Sequence, residues 1–78
     1  MNNLTQEVFI FKTNVKNKKL IKKLSPLLDR HLLITKWNLD LEDCDKILRV
    51  EASSEIAAEI ISLLQNKGFE CEELRYNL

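Results

Sequence analysis

Two stretches of helical periodicity, each lying between short apolar runs, constrain the fold of this chain more than any other feature. Residues 7–11 form an apolar run rich in aromatic and β-branched side chains, which predicts a buried strand. From Lys18 onward, apolar residues recur every three or four positions, which predicts a helix with lysines on its other face. At Ser25-Pro26 this helix either kinks or restarts, with Ser25 as a cap and Pro26 in its first turn.

The second half of the chain repeats the pattern with an extra strand. Ser53-Ser54-Glu55 supplies a hydroxyl cap and an acidic residue, which predicts a helix start. Gly68 ends this helix, because glycine readily adopts the left-handed cap conformation. The predicted elements are a strand at 32–41, a polar turn at 41–45, a strand at 46–52 hairpinned to the preceding one, a helix with apolar positions Ile56, Ile60, Ile61 and Leu64, and a strand at 69–75.

The resulting order is β-α-β-β-α-β. Crossover connections are right-handed in nearly all proteins, so two such split units interleave into one sheet. We therefore expect an α+β, ferredoxin-like fold: a four-stranded antiparallel sheet, with strand order 4-1-3-2 and two helices on one face. A chain of 78 residues leaves no room for a second domain, so residues 1–78 are predicted to form a single one.

Composition excludes several functional classes. Lys+Arg and Asp+Glu number 12 each, so the net charge is zero and nucleic-acid binding through overall positive charge is not expected. No apolar run has the length of a membrane span, and nothing indicates export, so a cytoplasmic protein with free thiols is expected. The chain has one His and no glycine-rich phosphate loop, which indicates neither an enzyme nor a nucleotide cofactor.

The segment Thr13-Asn14-Val15-Lys16-Asn17 lies between the first strand and the first helix. Together with Trp37–Glu42 and Asn66–Glu70, it makes residues 7–74 resemble the heavy-metal-associated domains of copper chaperones and metal-pumping ATPases. That family carries Thr-Cys-x-x-Cys at this junction, and by the resemblance Asn14 and Asn17 stand at the two cysteine positions. Soft metal ions need sulfur ligands, so the resemblance implies the fold without the metal site and without a metal cofactor.

Two functions remain open. The first is a non-enzymatic module for protein interaction or ligand sensing. The alternative is heavy-metal binding or trafficking through a non-standard site that includes Cys71, because the fourth strand neighbours the first and brings Cys71 near the Asn14–Asn17 loop. Cys44 and Cys71 lie near opposite edges of the predicted sheet, at ~12–14 Å from ~4.8 Å per strand spacing, which is too far for a disulfide.

Charged residues are segregated along the chain. Residues 12–23 contain six lysines and no acid, whereas residues 40–45 contain four acids. The lysines predict a solvated helix face or a surface for an anion or a protein. The acids could attract a hard cation but lack the spacing of a calcium loop, so we expect a solvated hairpin tip. His31, without a neighbouring ligand or nucleophile in the sequence, is expected at the surface.

The first strand is apolar on both faces, since Val8 and Ile10 alternate with Phe9 and Phe11. One pair must face the helices and the other the open face of the sheet. An apolar open face predicts a contact surface, and a weak homodimer is one expectation. Coverage of that face by the chain termini is the other. The residues expected to contact an unknown protein partner are Phe9, Phe11, Lys16, Lys18, Lys19 and Lys22.

Overall fold

The computed structural model describes residues 7–53 and 56–74. The predicted order of elements is confirmed. The strands and helices are β1 (Glu7–Thr13), α1 (Lys18–Asp29), β2 (Ile34–Leu39), β3 (Leu48–Ala52), α2 (Ala57–Asn66) and β4 (Cys71–Leu74). Neither helix in these ranges is long and apolar enough to cross a membrane.

The four strands form one antiparallel sheet in the order β2-β3-β1-β4. Both helices lie on one face, which confirms the ferredoxin-like arrangement and the predicted strand order. The core lies between the helices and the inner face of the sheet, and its largest fully buried side chains are Phe11, Leu24, Leu28, Leu48, Ile60, Leu64, Val15 and Val50. The lysine-rich side of α1 is left in solvent, as its periodicity predicts.

Element boundaries differ from the prediction in several places. β2 spans Ile34–Leu39 rather than 32–41, and β4 begins at Cys71 rather than at 69. β1 continues to Thr13, because Thr13 pairs with Cys71 at the start of β4. β3 begins at Leu48 rather than at 46, since Lys46 has a φ of 47° and belongs to the turn. Pro26 lies inside α1 without ending it, and the hydroxyl of Ser25 donates to Asp29 one turn later (3.2 Å) instead of capping a new helix.

The start of α2 also differs from the prediction. Its N-cap is Ile56, which makes no side-chain capping hydrogen bond. The Ser54-Glu55 part of the predicted cap lies outside the described residues. The other end agrees with the prediction, because Gly68 follows the C-cap Lys67 and has a φ of 89°. In this conformation the Gly68 and Phe69 amides donate to the Gln65 and Leu64 carbonyls, both at 3.0 Å.

The outward face of β1 is formed by Val8 and Ile10. Phe9 and Phe11 are 5% and 0% exposed, because they pair in register with Val50 and Leu48 on the helix-covered side. The sequence-based assignment of Phe9 and Phe11 as partner contacts is therefore wrong. Val8, at 52% exposed, and the half-buried Ile10 occupy the open face instead.

Candidate functional site

The loop between β1 and α1 lies at one end of the sheet, between two other segments. On one side, the Thr13 amide donates to the Asp45 carbonyl in the β2–β3 loop (3.2 Å). On the other side, the Asn14 side chain accepts from the Glu70 amide just before β4 (2.8 Å). This loop is the place where the sequence predicts a degenerate metal site, so the partners of its polar side chains decide what it can bind.

Thr13 fixes the entry into the loop. Its side chain is buried, at 7% exposed. The hydroxyl donates to the Lys46 carbonyl (2.7 Å) and accepts from the Val15 amide (3.2 Å). Val15 is fully buried, so its amide needs a partner within the protein. Thr13 therefore joins the β1–α1 loop to the β2–β3 loop and supplies the acceptor that lets Val15 enter the core.

Asn14 and Asn17 both use their side-chain oxygens to bind backbone amides. Asn14 Oδ1 accepts from Glu70, and Asn17 Oδ1 accepts from Leu20 at 2.9 Å as the N-cap of α1. Extended backbone at Asn17, with φ −155° and ψ 170°, is the ordinary geometry of such a cap. Each amide oxygen is a neutral, hard ligand atom, and it already accepts a hydrogen bond from the backbone. These residues therefore do not fit a soft metal ion.

Cys71 lies beside this loop, as predicted, but its thiol belongs to the core. It pairs with Thr13 across β1 and β4 and is 8% exposed. Burial raises the pKa of the Cys71 thiol to about 12 by desolvating the thiolate. Because the thiolate is the form that binds metal, the geometry disfavours the alternative in which Cys71 ligates an ion. Cys44 is exposed, and both cysteines are free.

The β2–β3 loop brings together two acids of the predicted acidic hairpin tip and Cys44, which sequence reasoning did not include with them. One ligand atom from each of Asp43, Cys44 and Asp45 lies within 4.8 Å of the others. Asp43 Oδ1 accepts from the Asp45 amide at 2.7 Å, and Asp45 Oδ1 lies 3.8 Å from Lys12 Nζ. Two of the three residues therefore have partners within the protein. The contiguous Asp-Cys-Asp sequence is the signal that could have identified this group.

Exposed lysines surround the start of α1. Lys16, Lys18, Lys19 and Lys22 are exposed and form no salt bridge with any residue in the described ranges. The first turn of α1 contains no acidic residue. The amino end of a helix carries partial positive charge, which these side chains add to rather than offset. The result is a concentrated positive surface, called here the lysine face and consisting of these four residues.

His31 lies after α1, at the other end of the helix from the lysine face. Its Nε2 is 2.6 Å from Glu59 Oε2 on α2, and its Nδ1 accepts from the Leu33 amide at 3.2 Å. The side chain is half-buried, at 12% exposed, so His31 lies near the surface but is held by contacts that its position in the sequence does not predict. Both ring nitrogens serve to fix the α1–β2 turn against α2. His31 is thus a structural link.

The comparisons with known proteins support the fold. The chain is similar to the solution structure of the N-terminal domain of ZntA in its Zn(II) form, with a TM-score of 0.75 and 15% sequence identity. The match covers 91% of this chain and 96% of that domain. No protein-family model and no curated protein matches the sequence. The likeness shows that this chain shares the fold of that domain, and at this identity it carries no ligand set across.

Proposed function

We propose that this chain is a non-enzymatic binding module that keeps the fold of a heavy-metal-binding domain but recognises an acidic protein surface in place of a metal ion. The observation that carries the proposal is the use of the β1–α1 loop. Thr13, Asn14 and Asn17 all direct their side-chain oxygens to groups of the protein's own backbone. By the family resemblance, the two asparagines replace the cysteines that would have held the metal.

The lysine face supports an acidic partner. Its four residues lie at the amino end of α1 and in the adjoining β1–α1 loop, and no described acidic residue pairs with them. Lys12 in β1 forms an ion pair with Asp45. This pair does not involve the lysine face, which stays in solvent. Exposed charges of one sign accelerate association with an oppositely charged surface, in a salt-dependent way.

We propose that the protein works in a reducing cytoplasm and that it is not a catalyst. Both cysteines are free, which is the state such a compartment maintains. The single histidine uses Nε2 on Glu59 and Nδ1 on the Leu33 amide, so it has no nitrogen left for general acid or base chemistry in this conformation.

A fluorescein-labelled octaglutamate peptide is a suitable probe of this recognition. We expect fluorescence anisotropy to show binding at low ionic strength that weakens as salt is added. Replacing Lys18, Lys19 and Lys22 with glutamine should weaken binding at least about tenfold, since the positive surface is then removed. A control with the same change in net charge replaces Arg30, Arg49 and Lys67 with glutamine and should weaken it much less. Equal losses in both variants, or no binding by the wild type, would contradict the proposal.

Metal binding at the β2–β3 loop is the rival function, favoured by the proximity of Asp43, Cys44 and Asp45. A competition titration with Zn(II) under reducing conditions separates the two functions. The binding-module proposal expects no affinity tighter than micromolar in the wild type. A tight wild-type site that is lost in Cys44→Ser and kept in Cys71→Ser would establish the rival and overturn the proposal.

A further inference from the structure

The two edge strands differ in length over the residues that the structure describes. β4 is an edge of four residues and carries Glu72 and Glu73. β2 is the longer edge, with six residues. A shallow groove follows β2, with Lys18 and Ile21 of α1 on one side and Leu41 at its end. An exposed strand edge presents unpaired backbone groups and is a template for another strand.

Backbone geometry identifies which groups of β2 face outward. The Asp40 amide donates to the Ile47 carbonyl at 2.9 Å, so it points toward β3. In an antiparallel pair, the backbone groups of successive residues point alternately toward and away from the partner strand. The amide and carbonyl of Asn38, which lies two residues before Asp40 and pairs with Arg49, therefore also point toward β3. The amides and carbonyls of Trp37 and Leu39 therefore point to the open edge. The register shifts between 34 and 36, which leaves the regular part of the edge around Asn38.

We propose that β2 pairs antiparallel with β2 of a second copy of this chain, about a two-fold axis at Asn38. This register places Trp37 opposite Leu39 of the second copy, and Leu39 opposite its Trp37. These are the residues whose backbone groups face the edge, so each pair exchanges two hydrogen bonds. Trp37 and Leu39 are half-buried against the core, and the pairing covers their remaining exposed surface with each other.

Charge complementarity identifies the occupant as a second copy of the same strand. With the axis at Asn38, Lys36 lies directly opposite Asp40 of the second copy, and the pair occurs twice by symmetry. Lys36 and Asp40 are both exposed, and alternation places both on the open face of the sheet. Asp40 Oδ1 accepts from the Glu42 amide (2.9 Å), which holds the carboxylate at the end of the strand. The same register thus satisfies the backbone and pairs opposite charges.

Charge reversal tests the register. Sedimentation velocity at concentrations up to hundreds of micromolar should show a wild-type dimer. Lys36→Asp or Asp40→Lys should each weaken dimerisation about tenfold or more, because two symmetric attractive pairs become repulsive. The double swap should restore much of the affinity. Arg49→Asp, the equivalent change one strand further in, should leave it nearly unchanged. A wild type that stays monomeric, or a double swap no better than the singles, would overturn the proposal.

Cross-linking tests the position of the axis independently. The two copies of Asn38 form a non-hydrogen-bonded pair with Cα atoms ~4.5 Å apart, which is within the range of a disulfide. In a Cys44→Ser background, Asn38→Cys should give a disulfide-linked dimer on mild oxidation, while Arg49→Cys should stay largely monomeric. Circular dichroism confirms that both variants fold. A folded Asn38→Cys protein that cross-links no faster than the Arg49→Cys control would contradict the proposed axis.

Discussion

The β1–α1 loop and the β2–β3 loop lie side by side at one end of the sheet, yet they use their polar side chains in opposite ways. In the β1–α1 loop, Thr13 and Asn14 bind backbone groups 33 and 56 residues away in sequence. In the β2–β3 loop, Asp40 and Asp43 bind amides only two residues away. Thr13 and Asn14 therefore connect distant segments, whereas Asp40 and Asp43 stabilise their own turn.

This difference indicates how the fold can persist without a metal. Asn14 accepts directly from the Glu70 amide and Asn17 caps α1, so side-chain hydrogen bonds hold this loop in place. The neighbouring loop takes part in these long-range contacts through its backbone carbonyls and the Lys12–Asp45 ion pair, while Asp43, Cys44 and Asp45 keep their ligand atoms close together. Substitutions that remove side-chain hydrogen bonds of the β1–α1 loop should therefore lower the stability of the fold strongly. Equivalent substitutions in the β2–β3 loop should lower it only weakly.

The largest effect is expected at Thr13. Thr13→Val keeps the shape of the side chain but removes the donor to the Lys46 carbonyl and the acceptor for the buried Val15 amide. We expect it to lower the free energy of unfolding by roughly 2–4 kcal/mol, because two partners lose their hydrogen bonds and one is buried. Urea denaturation measures this change. The control Thr35→Val removes an exposed hydroxyl bonded to the Glu51 carbonyl and should cost less than about 1 kcal/mol.

The next effect depends on pH and contrasts the cysteines beside the two loops. Burial raises the Cys71 pKa from 9.0 to about 12, so the folded state keeps its proton where the unfolded state loses it. The resulting stability is fully present below pH 9 and is lost as the pH rises toward 12. Between pH 8 and 10.5 the loss should be roughly 2 kcal/mol, at 1.36 kcal/mol per pH unit.

Other groups also titrate in this range, so the measurement is a difference between variants. Urea denaturation of Cys71→Ala should show a smaller decline over the same pH range than the wild type. Cys44→Ala removes an exposed thiol and should decline as the wild type does. Identical pH dependence in all three proteins would contradict the burial of the Cys71 thiol in the core.

The smallest effect compares one side chain from each loop. Asn17→Ala removes the N-cap of α1 and should cost about 1 kcal/mol, while Asn17→Asp keeps an acceptor and should cost much less. Asp43→Ala removes a half-buried hydrogen bond between residues only two positions apart in the β2–β3 loop and should cost roughly 0.5 kcal/mol, the lower end of the usual range for a hydrogen bond. Thermal denaturation of the three variants gives the ranking. Asp43→Ala as the most harmful of the three would reverse the comparison.

Most of the fold could be predicted because it depends on periodicity. The spacing of Leu24 and Leu28, and of Ile60 and Leu64, identifies the buried sides of the helices without knowledge of their partners. β1 could not be oriented in this way, because both of its faces are apolar. Only the pairing of Phe9 with Val50, through a distant strand, distinguishes the inner face.

The position of the β1–α1 loop could be predicted from the sequence, but the contacts of its side chains could not. The N-cap at Asn17 involves only residues next to it in sequence, and cap-forming residues at 13–17 are a local signal of a helix start. The bonds from Asn14 to Glu70 and from Thr13 to Lys46 join segments that only the folded sheet brings together. The link between His31 and Glu59 escaped prediction for the same reason, since the two residues are 28 positions apart.

The most direct test of the proposal that the β1–α1 loop binds no metal is to introduce the two cysteines of the family that the sequence resembles. The wild type and an Asn14→Cys/Asn17→Cys variant would be titrated with Cu(I) under reducing conditions against a chelator of known affinity, with folding checked by circular dichroism. The wild type should not compete for the metal, and the variant should bind one equivalent at least about a thousandfold more tightly, because two thiolates replace two amide oxygens. Tight binding by the wild type that is lost in Asn14→Ala or Asn17→Ala, or a folded variant that binds no better than the wild type, would contradict the account.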